Sequence, residues 1–173
     1  MDALDNIFSR RSIRRFRQEE ISEEDLHTIL HAGMCGPSCV NARDYSFLVI
    51  RDKDNLNALA DCNGRPAQPL RNCALGILVM GDLDRAFERA KDYWIIDASI
   101  ACENMILAAN ALGIGSVWFG TYPQSERVEK VRKLYELPEN IVPHSIIAFG
   151  YPDEEPSAKG FYEEDRVHFE KWQ

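Results

Sequence analysis

The chain has no C-x-x-C pair, and its five cysteines, Cys35, Cys39, Cys62, Cys73 and Cys102, form an odd set. Such a set argues against a disulfide framework and for reduced thiols in the cytosol. Cys35 and Cys39 could be read as a redox pair, although small buried or loop thiols are the commoner case. No G-x-S-x-G, P-loop or G-x-G-x-x-G occurs, so hydrolase, NTPase and Rossmann readings have no support. No repeat, low-complexity tract or linker interrupts the 173 residues, which read as one domain, 1–173. A domain of this length can bury about 70% of its unfolded surface. Glycine and proline are modest, at 10 and 8, and hydrophobic residues make up 45%, a composition that excludes disorder. Cationic residues are outnumbered, and the net charge of −8 argues against a general nucleic-acid or anionic-membrane surface. Met1-Asp2-Ala3-Leu4-Asp5 is acidic and leads into arginines, so no export signal is expected.

Against this acidic background five arginines fall between positions 10 and 17: Arg10-Arg11-Ser12-Ile13-Arg14-Arg15-Phe16-Arg17. They follow a short apolar-periodic segment, Leu4, Ile7 and Phe8. Cations this close repel one another, which calls for an anion among them. The guanidinium fork suits a phosphate and stays charged at physiological pH. Ser12 adds a hydroxyl donor, and the turn after a short helix adds backbone N–H groups. The segment reads as a socket for a small phosphorylated ligand. The alternative is a solvated basic turn balancing Glu19, Glu20, Glu23 and Glu24.

Four β-rich runs are expected at 45–50, 75–80, 116–119 and 145–149. Ser22 with Asp25 three residues on starts a helix that carries Leu26, Ile29 and Leu30 to Gly33. Further helices are expected at 54–60 and 125–135, the latter with Val128, Val131 and Leu134 at helical spacing. The most apolar stretch, 93–112, ends at Gly113 and is long enough to cross a bilayer. Asp97, Glu103, Asn104 and Asn110 lie inside it, and one interior Asp costs roughly 2.5–3.5 kcal/mol on insertion. A helix buried in a core or subunit interface is therefore the better reading. Strands interleaved with helices leave a three-layer α/β and an α+β domain both open.

The arginine segment resembles the R-R-S-x-R-x-aromatic opening of the FMN-dependent nitroreductase family. Gly36-Pro37-Ser38-Cys39-Val40-Asn41 is similar to its P-S-x-x-N loop. The 97–104 and 112–120 segments resemble its central helix and following strand, and Ala148-Phe149-Gly150-Tyr151-Pro152 its closing G-Y-P turn. The resemblance implies an α+β fold, with a mixed central sheet flanked by helices on both sides. It also implies an intertwined homodimer, with the C-terminal segment wrapped onto the other subunit and two flavin sites at the interface. The implied activity is hydride transfer from NADH or NADPH through FMN to a nitroaromatic, a quinone or a similar acceptor, by ping-pong kinetics. Relatives of the same fold that dehalogenate aromatics reductively, break down flavin, or carry flavin as a redox sensor are the alternative.

By the same resemblance Arg10 and Ser12 take the phosphate, Arg11 lies close to phosphate or ribityl, and Arg14 reaches the N1 edge of the ring. Pro37, Ser38 and Asn41 pack or hydrogen-bond against the flavin across the interface. The Phe119-Gly120 backbone approaches N5, and Lys159 is a second phosphate cation. No protein side chain is expected to be catalytic, because the cofactor carries the electron chemistry. Two features depart from the family. After Asn41 the usual Gln-Pro is replaced by Arg43-Asp44, which adds charge near the pocket. The stretch between Met80 and Tyr93 is short, so lid helices over the substrate are reduced or missing. The alternating tail Arg166-Val167-His168-Phe169-Glu170-Lys171-Trp172 fits docking on another surface. His27, His31, Cys35 and Cys39 recur every four residues, a spacing that suits metal ligands on one helix, but Gly33, Gly36 and Pro37 break it. No metal is expected.

Overall fold

A computed structural model of the chain describes residues 2–157 and 162–172. Within them the elements run α1 (Ala3–Ser9), α2 (Glu23–Met34), β1 (Tyr45–Ile50), α3 (Lys53–Asn63), β2 (Leu75–Asp82), α4 (Tyr93–Ala111), β3 (Gly115–Gly120), α5 (Ser125–Leu134) and β4 (Ile141–Gly150). Single 3₁₀ turns at Cys39–Asn41, Glu88–Ala90 and Glu164–Arg166, and a longer one at Arg65–Asn72, fill parts of the connections.

Local chemistry sets the helix starts. Ser22 accepts from the Asp25 N–H at 3.0 Å, and its hydroxyl donates to the Asp25 carboxylate at 2.8 Å, as the spacing predicts. Asp52 caps α3 in the same way, accepting from Asn55 at 2.9 Å. Leu26 and Ile29 then bury one face of α2, and Gly33 lies where a Cβ would sit 2.8 Å from Met105 Cγ. That missing side chain lets α2 lie close against α4. None of the described helices is long and apolar enough to cross a membrane, and α4 buries Asp97 and Cys102 inside the fold.

The four strands form one sheet in the order β1-β2-β4-β3, and every pair is antiparallel. Parallel pairing is confined to an isolated bridge between Ser12 and Ser116. Of the two architectures left open by interleaved strands and helices, the chain adopts α+β. Period-two alternation sends β2 and β4 side chains to two cores. Leu78, Met80, Ile146 and Ala148 pack with Leu56, Leu59 and Val131 under α3 and α5. Leu75, Ile77, Val79, Ile147 and Phe149 pack with Ile29, Ala98 and Met105 under α2 and α4. Helices therefore cover both faces.

β4 begins at Ile141, earlier than the expected 145, because Pro143 and a bulge hide its alternation. Val79 pairs with Ser145 and Met80 with Pro143, so His144 is the extra residue. The bulge turns its ring inward. Nδ1 lies 2.9 Å from Ser145 Oγ, Nε2 lies 3.2 Å from Ser99 Oγ, and Trp94 meets the ring edge-on. Burial pulls its pKa down to about 4 from an ordinary 6.5.

Because the folded state holds His144 neutral, its contribution is complete above pH 6.5 and is lost as pH falls toward 4. The shift corresponds to about 3 kcal/mol. Urea midpoints measured across this window should fall more steeply in the wild type than in His144→Gln.

Candidate functional site

The arginine segment is held on the sheet by its two apolar residues. Ile13 and Phe16 are buried, while Arg14, Arg15 and Arg17 point outward. Ile13 lies over Gly115 at the start of β3, where a Cβ would meet its Cγ1 at 2.8 Å. Phe16 lies over Gly150 at the end of β4, where a Cβ would come within 2.9 Å of its Cδ1. Backbone bonds fasten both pins: Ile13 N–H to Ser116 and Arg17 N–H to Tyr151, each at 2.9 Å. The Asp153 N–H returns to the Arg15 carbonyl at 2.9 Å. Glu154 accepts the N–H groups of Arg14 and Arg15. The Arg14 N–H, ahead of the neighbouring cations, holds its carboxyl below the usual carboxylate range.

This anchoring gathers four of the expected ligands. Arg10, Arg11, Ser12 and Arg14 line a cavity of about 210 Å³ with Pro156 and Ser157. The Ser12 hydroxyl makes no hydrogen bond among the described residues, and Arg14 reaches only the Ser12 carbonyl, at a long 3.4 Å. Arg10 faces Glu103 across 3.9 Å, a weak surface pair. Arg11 is differently occupied. Its guanidinium donates to the carbonyls of Phe8 and Arg10 at 2.7 Å and of Ser157 at 3.1 Å, bracing the turn against the far side of the cavity. A concave set of guanidinium and hydroxyl donors of this size suits a phosphate. Lys159 lies outside the described residues.

Phe119 and Gly120 lie on the same edge strand that carries Ser116. Three and four residues of β-rise put them about 10 and 13 Å from Ser116, where the arginine turn is fastened. Phe119 is buried in the core, so only its backbone is available there, whereas Gly120 is exposed. A Cβ at Gly120 would meet nothing nearer than 3.9 Å, so no internal packing demands glycine at that position.

The loop carrying Pro37, Ser38 and Asn41 lies elsewhere. Ser38 Oγ accepts from the Arg43 N–H at 3.0 Å, and Asn41 Oδ1 from Arg43 Nε at 3.1 Å. Val40, Asn41 and Arg43 have φ of 45°, 59° and 50°, in the left-handed region. For the β-branched Val40 that conformation is unfavourable, of order 1–3 kcal/mol. The Cys39 N–H donates to Asp97 Oδ2 at 2.9 Å, seating the loop against the first turns of α4. Arg10 meets α4 at Glu103 and Asn6 meets it at Asn110, so about 10–20 Å of helix separates loop from arginines. Within one chain the two sets do not share a cavity.

Asp44 corrects one expectation. It adds no charge to a pocket surface, because its side chain is turned inward and is wholly buried beside Asp97. Nothing in the sequence marks these two carboxylates as neighbours. His27 and His31 sit one turn apart on the exposed side of α2, their rings 6.3 Å apart. Cys35 caps that helix, and Cys39 belongs to the next turn.

Fold and cavity together describe an α+β domain with a guanidinium-lined hollow at the edge of its sheet. Within that class the chain belongs to the nitroreductase family, whose model matches residues 7–78 and 64–151. It is 40% identical over 172 residues to a Methanothermobacter thermautotrophicus protein provisionally named NADH dehydrogenase/NAD(P)H nitroreductase, covering 99% of this chain and 88% of that one. A solved Bacteroides thetaiotaomicron structure, provisionally named likewise, superposes with a TM-score of 0.91 at 38% identity over 98% of both chains. An FMN-dependent nitroreductase structure from Clostridium difficile gives 0.90 at 30% identity, covering 98% of this chain and 99% of that one.

Gly115→Ala should drive a methyl into Ile13 and destabilise the fold by about 1–3 kcal/mol. Gly120→Ala, with open space around its Cβ, should stay within about 0.5 kcal/mol of wild type. Urea denaturation of the two variants without ligand tests the difference.

Proposed function

We propose that the chain is an FMN-dependent oxidoreductase that takes hydride from NADH or NADPH and passes it to a nitroaromatic, a quinone or a similar acceptor. The observation that carries this reading is the cavity in which Arg10, Arg11, Ser12 and Arg14 converge. Its donors suit the single terminal phosphate of FMN, and membership of the nitroreductase family supports the same cofactor. FMN bound there would supply hydride acceptance and donation, so the protein's task is to bind, orient and tune. Arg10 and the Ser12 hydroxyl take the phosphate. Arg11 braces the turn behind it. Arg14, a fixed cation on the outward face, favours negative charge at the pyrimidine edge of the ring. The exposed Gly120 would let backbone approach the ring without a Cβ, and Lys159 is carried over from the family resemblance as a second phosphate cation. With FMN held there, one open site would serve donor and acceptor in turn, and ping-pong kinetics would follow.

The whole chain works as one flavin-binding unit in a homodimer. Leu4, Ile7 and Phe8 of α1 are 59%, 51% and 65% exposed, and Ile96 lies outward on α4. In the tail, Phe169 and Trp172 are 78% and 87% exposed. That much apolar surface on α1, α4 and the tail fits burial against a second copy. A two-fold arrangement would also bring Pro37, Ser38 and Asn41 of one subunit to the arginines of the other, which α4 holds apart within a chain. The five free cysteines suit a reducing cytosol.

Cofactor released by heat should chromatograph as FMN; recovery of FAD alone, or colourless protein that takes up no flavin, overturns the reading. Arg10→Ala should raise the FMN dissociation constant about tenfold to a hundredfold, the value of a lost charge-assisted hydrogen bond. Arg14→Ala should instead lower the flavin potential, measured by dye equilibration, and slow reduction by NAD(P)H. Light scattering should give twice the chain mass of 19.8 kDa.

A further inference from the structure

Two buried carboxylates take no part in the phosphate cavity or in any ion pair among the described residues. Asp44 is 0% exposed and Asp97 2%. Asp44 immediately precedes β1, and its carbonyl accepts the Asp82 N–H at 2.8 Å, which fixes its backbone to the end of β2. Asp97 stands on α4 and holds the Cys39 N–H through Oδ2. The Asp44 carboxyl comes within hydrogen-bonding reach of the Asp97 carboxyl, yet neither Asp44 oxygen has a donor among the described residues.

An ionised carboxylate without a donor is costly in a buried place, and two in contact are costlier. One proton between them removes both penalties. It supplies the missing donor and takes away the repulsion. Burial, followed by the charge of Asp97, moves the Asp44 carboxyl up to about 6, and its own nearby backbone N–H and then Arg85 offset this only in part. Arg85 from the turn after β2 and Tyr45 from β1 lie within electrostatic range of the pair, and Arg43 from the loop lies within range of Tyr45. Cys35 at the end of α2 lies behind Tyr45.

The arrangement has a topological consequence. Cys39 is one end of the loop and Asp44 the other, and the left-handed Val40, Asn41 and Arg43 lie between them. The path Cys39 N–H, Asp97, proton, Asp44 closes that loop into a ring.

We propose that a proton held on Asp44 is donated to the Asp97 carboxyl and thereby ties together the two ends of the 39–44 loop, the two residues acting as positioning residues for the presentation of Asn41. The flavin reading supplies the loop's purpose. The tie itself stands without it.

The test uses the full-length protein without flavin. Asp44→Asn supplies a permanent amide donor to Asp97 in place of the proton. Between pH 3.8 and about 6 the wild type holds the extra proton when folded and loses stability as pH rises. The difference in urea midpoint, variant minus wild type, should therefore grow across that window and level off above it. Taking the difference cancels the opposite limb from His144. At about pH 7.5, amides 39–43 should exchange with deuterium several-fold more slowly in the variant. Asp97→Asn, which keeps an acceptor for Cys39, should behave alike and serves if the first variant folds poorly. Parallel midpoint curves, or equal exchange, overturn the tie.

The positioning role is read with riboflavin, which lacks the titrating phosphate. The wild-type to Asp44→Asn ratio of dissociation constants should rise several-fold from about pH 5 to about pH 7.5. A constant ratio overturns that role. Protein that binds no flavin overturns the reading of the preceding section, while the amide exchange still decides the tie.

Discussion

The seating of Ile13 over Gly115 and Phe16 over Gly150 is the contact on which the candidate site depends. Two guanidinium groups about 6 Å apart at a protein surface repel by about 3 kcal/mol, and this segment packs several such neighbours together. Burying an Ile and a Phe side chain returns about 1.5–3 kcal/mol each. The pins therefore offset one or two of the repulsions. Glu154 adds a counter-charge that accepts two of the segment's N–H groups. Under the proposed function the phosphate would relieve the remaining imbalance. The turn is built to hold cations together before their ligand does, and the cost of assembling the site is met by the sheet.

Much of this was legible in the residues. Periodicity located α2 through Leu26 and Ile29, and the Ser22–Asp25 start. It placed β1 at its observed bounds and the cores of β2, β3 and β4. The basic cluster picked out Arg10, Arg11, Ser12 and Arg14, which the fold gathers around one cavity, while Arg17 pairs with Glu19 as a solvated basic turn would. What failed was local and has physical causes. Pro143 disguised the first half of β4, and prolines at positions 66 and 69 disguised the 3₁₀ segment Arg65–Asn72. Strand order could not be read, since interleaved helices serve parallel and antiparallel returns equally well. Arg11 resembled its neighbours in sequence, but in the fold its donors are spent on carbonyls. Asp44 looked like a surface charge because burial depends on a partner, Asp97, far along the chain.

The dyad and the loop belong to the same region as the departure from the family pattern. Where the family pattern given by the sequence resemblance has Gln-Pro, this chain has Arg43-Asp44. Proline would fix the entry to β1 through its ring. Aspartate leaves the backbone free to donate and replaces covalent rigidity with a protonation-dependent contact. Arg43 complements this by donating to Ser38 and Asn41, so the loop is restrained by its own polar groups.

His144 and Asp44 have a joint effect that neither shows alone. One titrates from 6.5 down to about 4 on folding, the other from 3.8 up to about 6. Over nearly the same interval one makes the fold weaker toward acid and the other makes it weaker toward base, by similar amounts. Their contributions therefore oppose each other across this interval, and each partly masks the slope the other would give. Removing either group would expose the opposite slope of the other, so the pH dependence of the single variants should differ in sign.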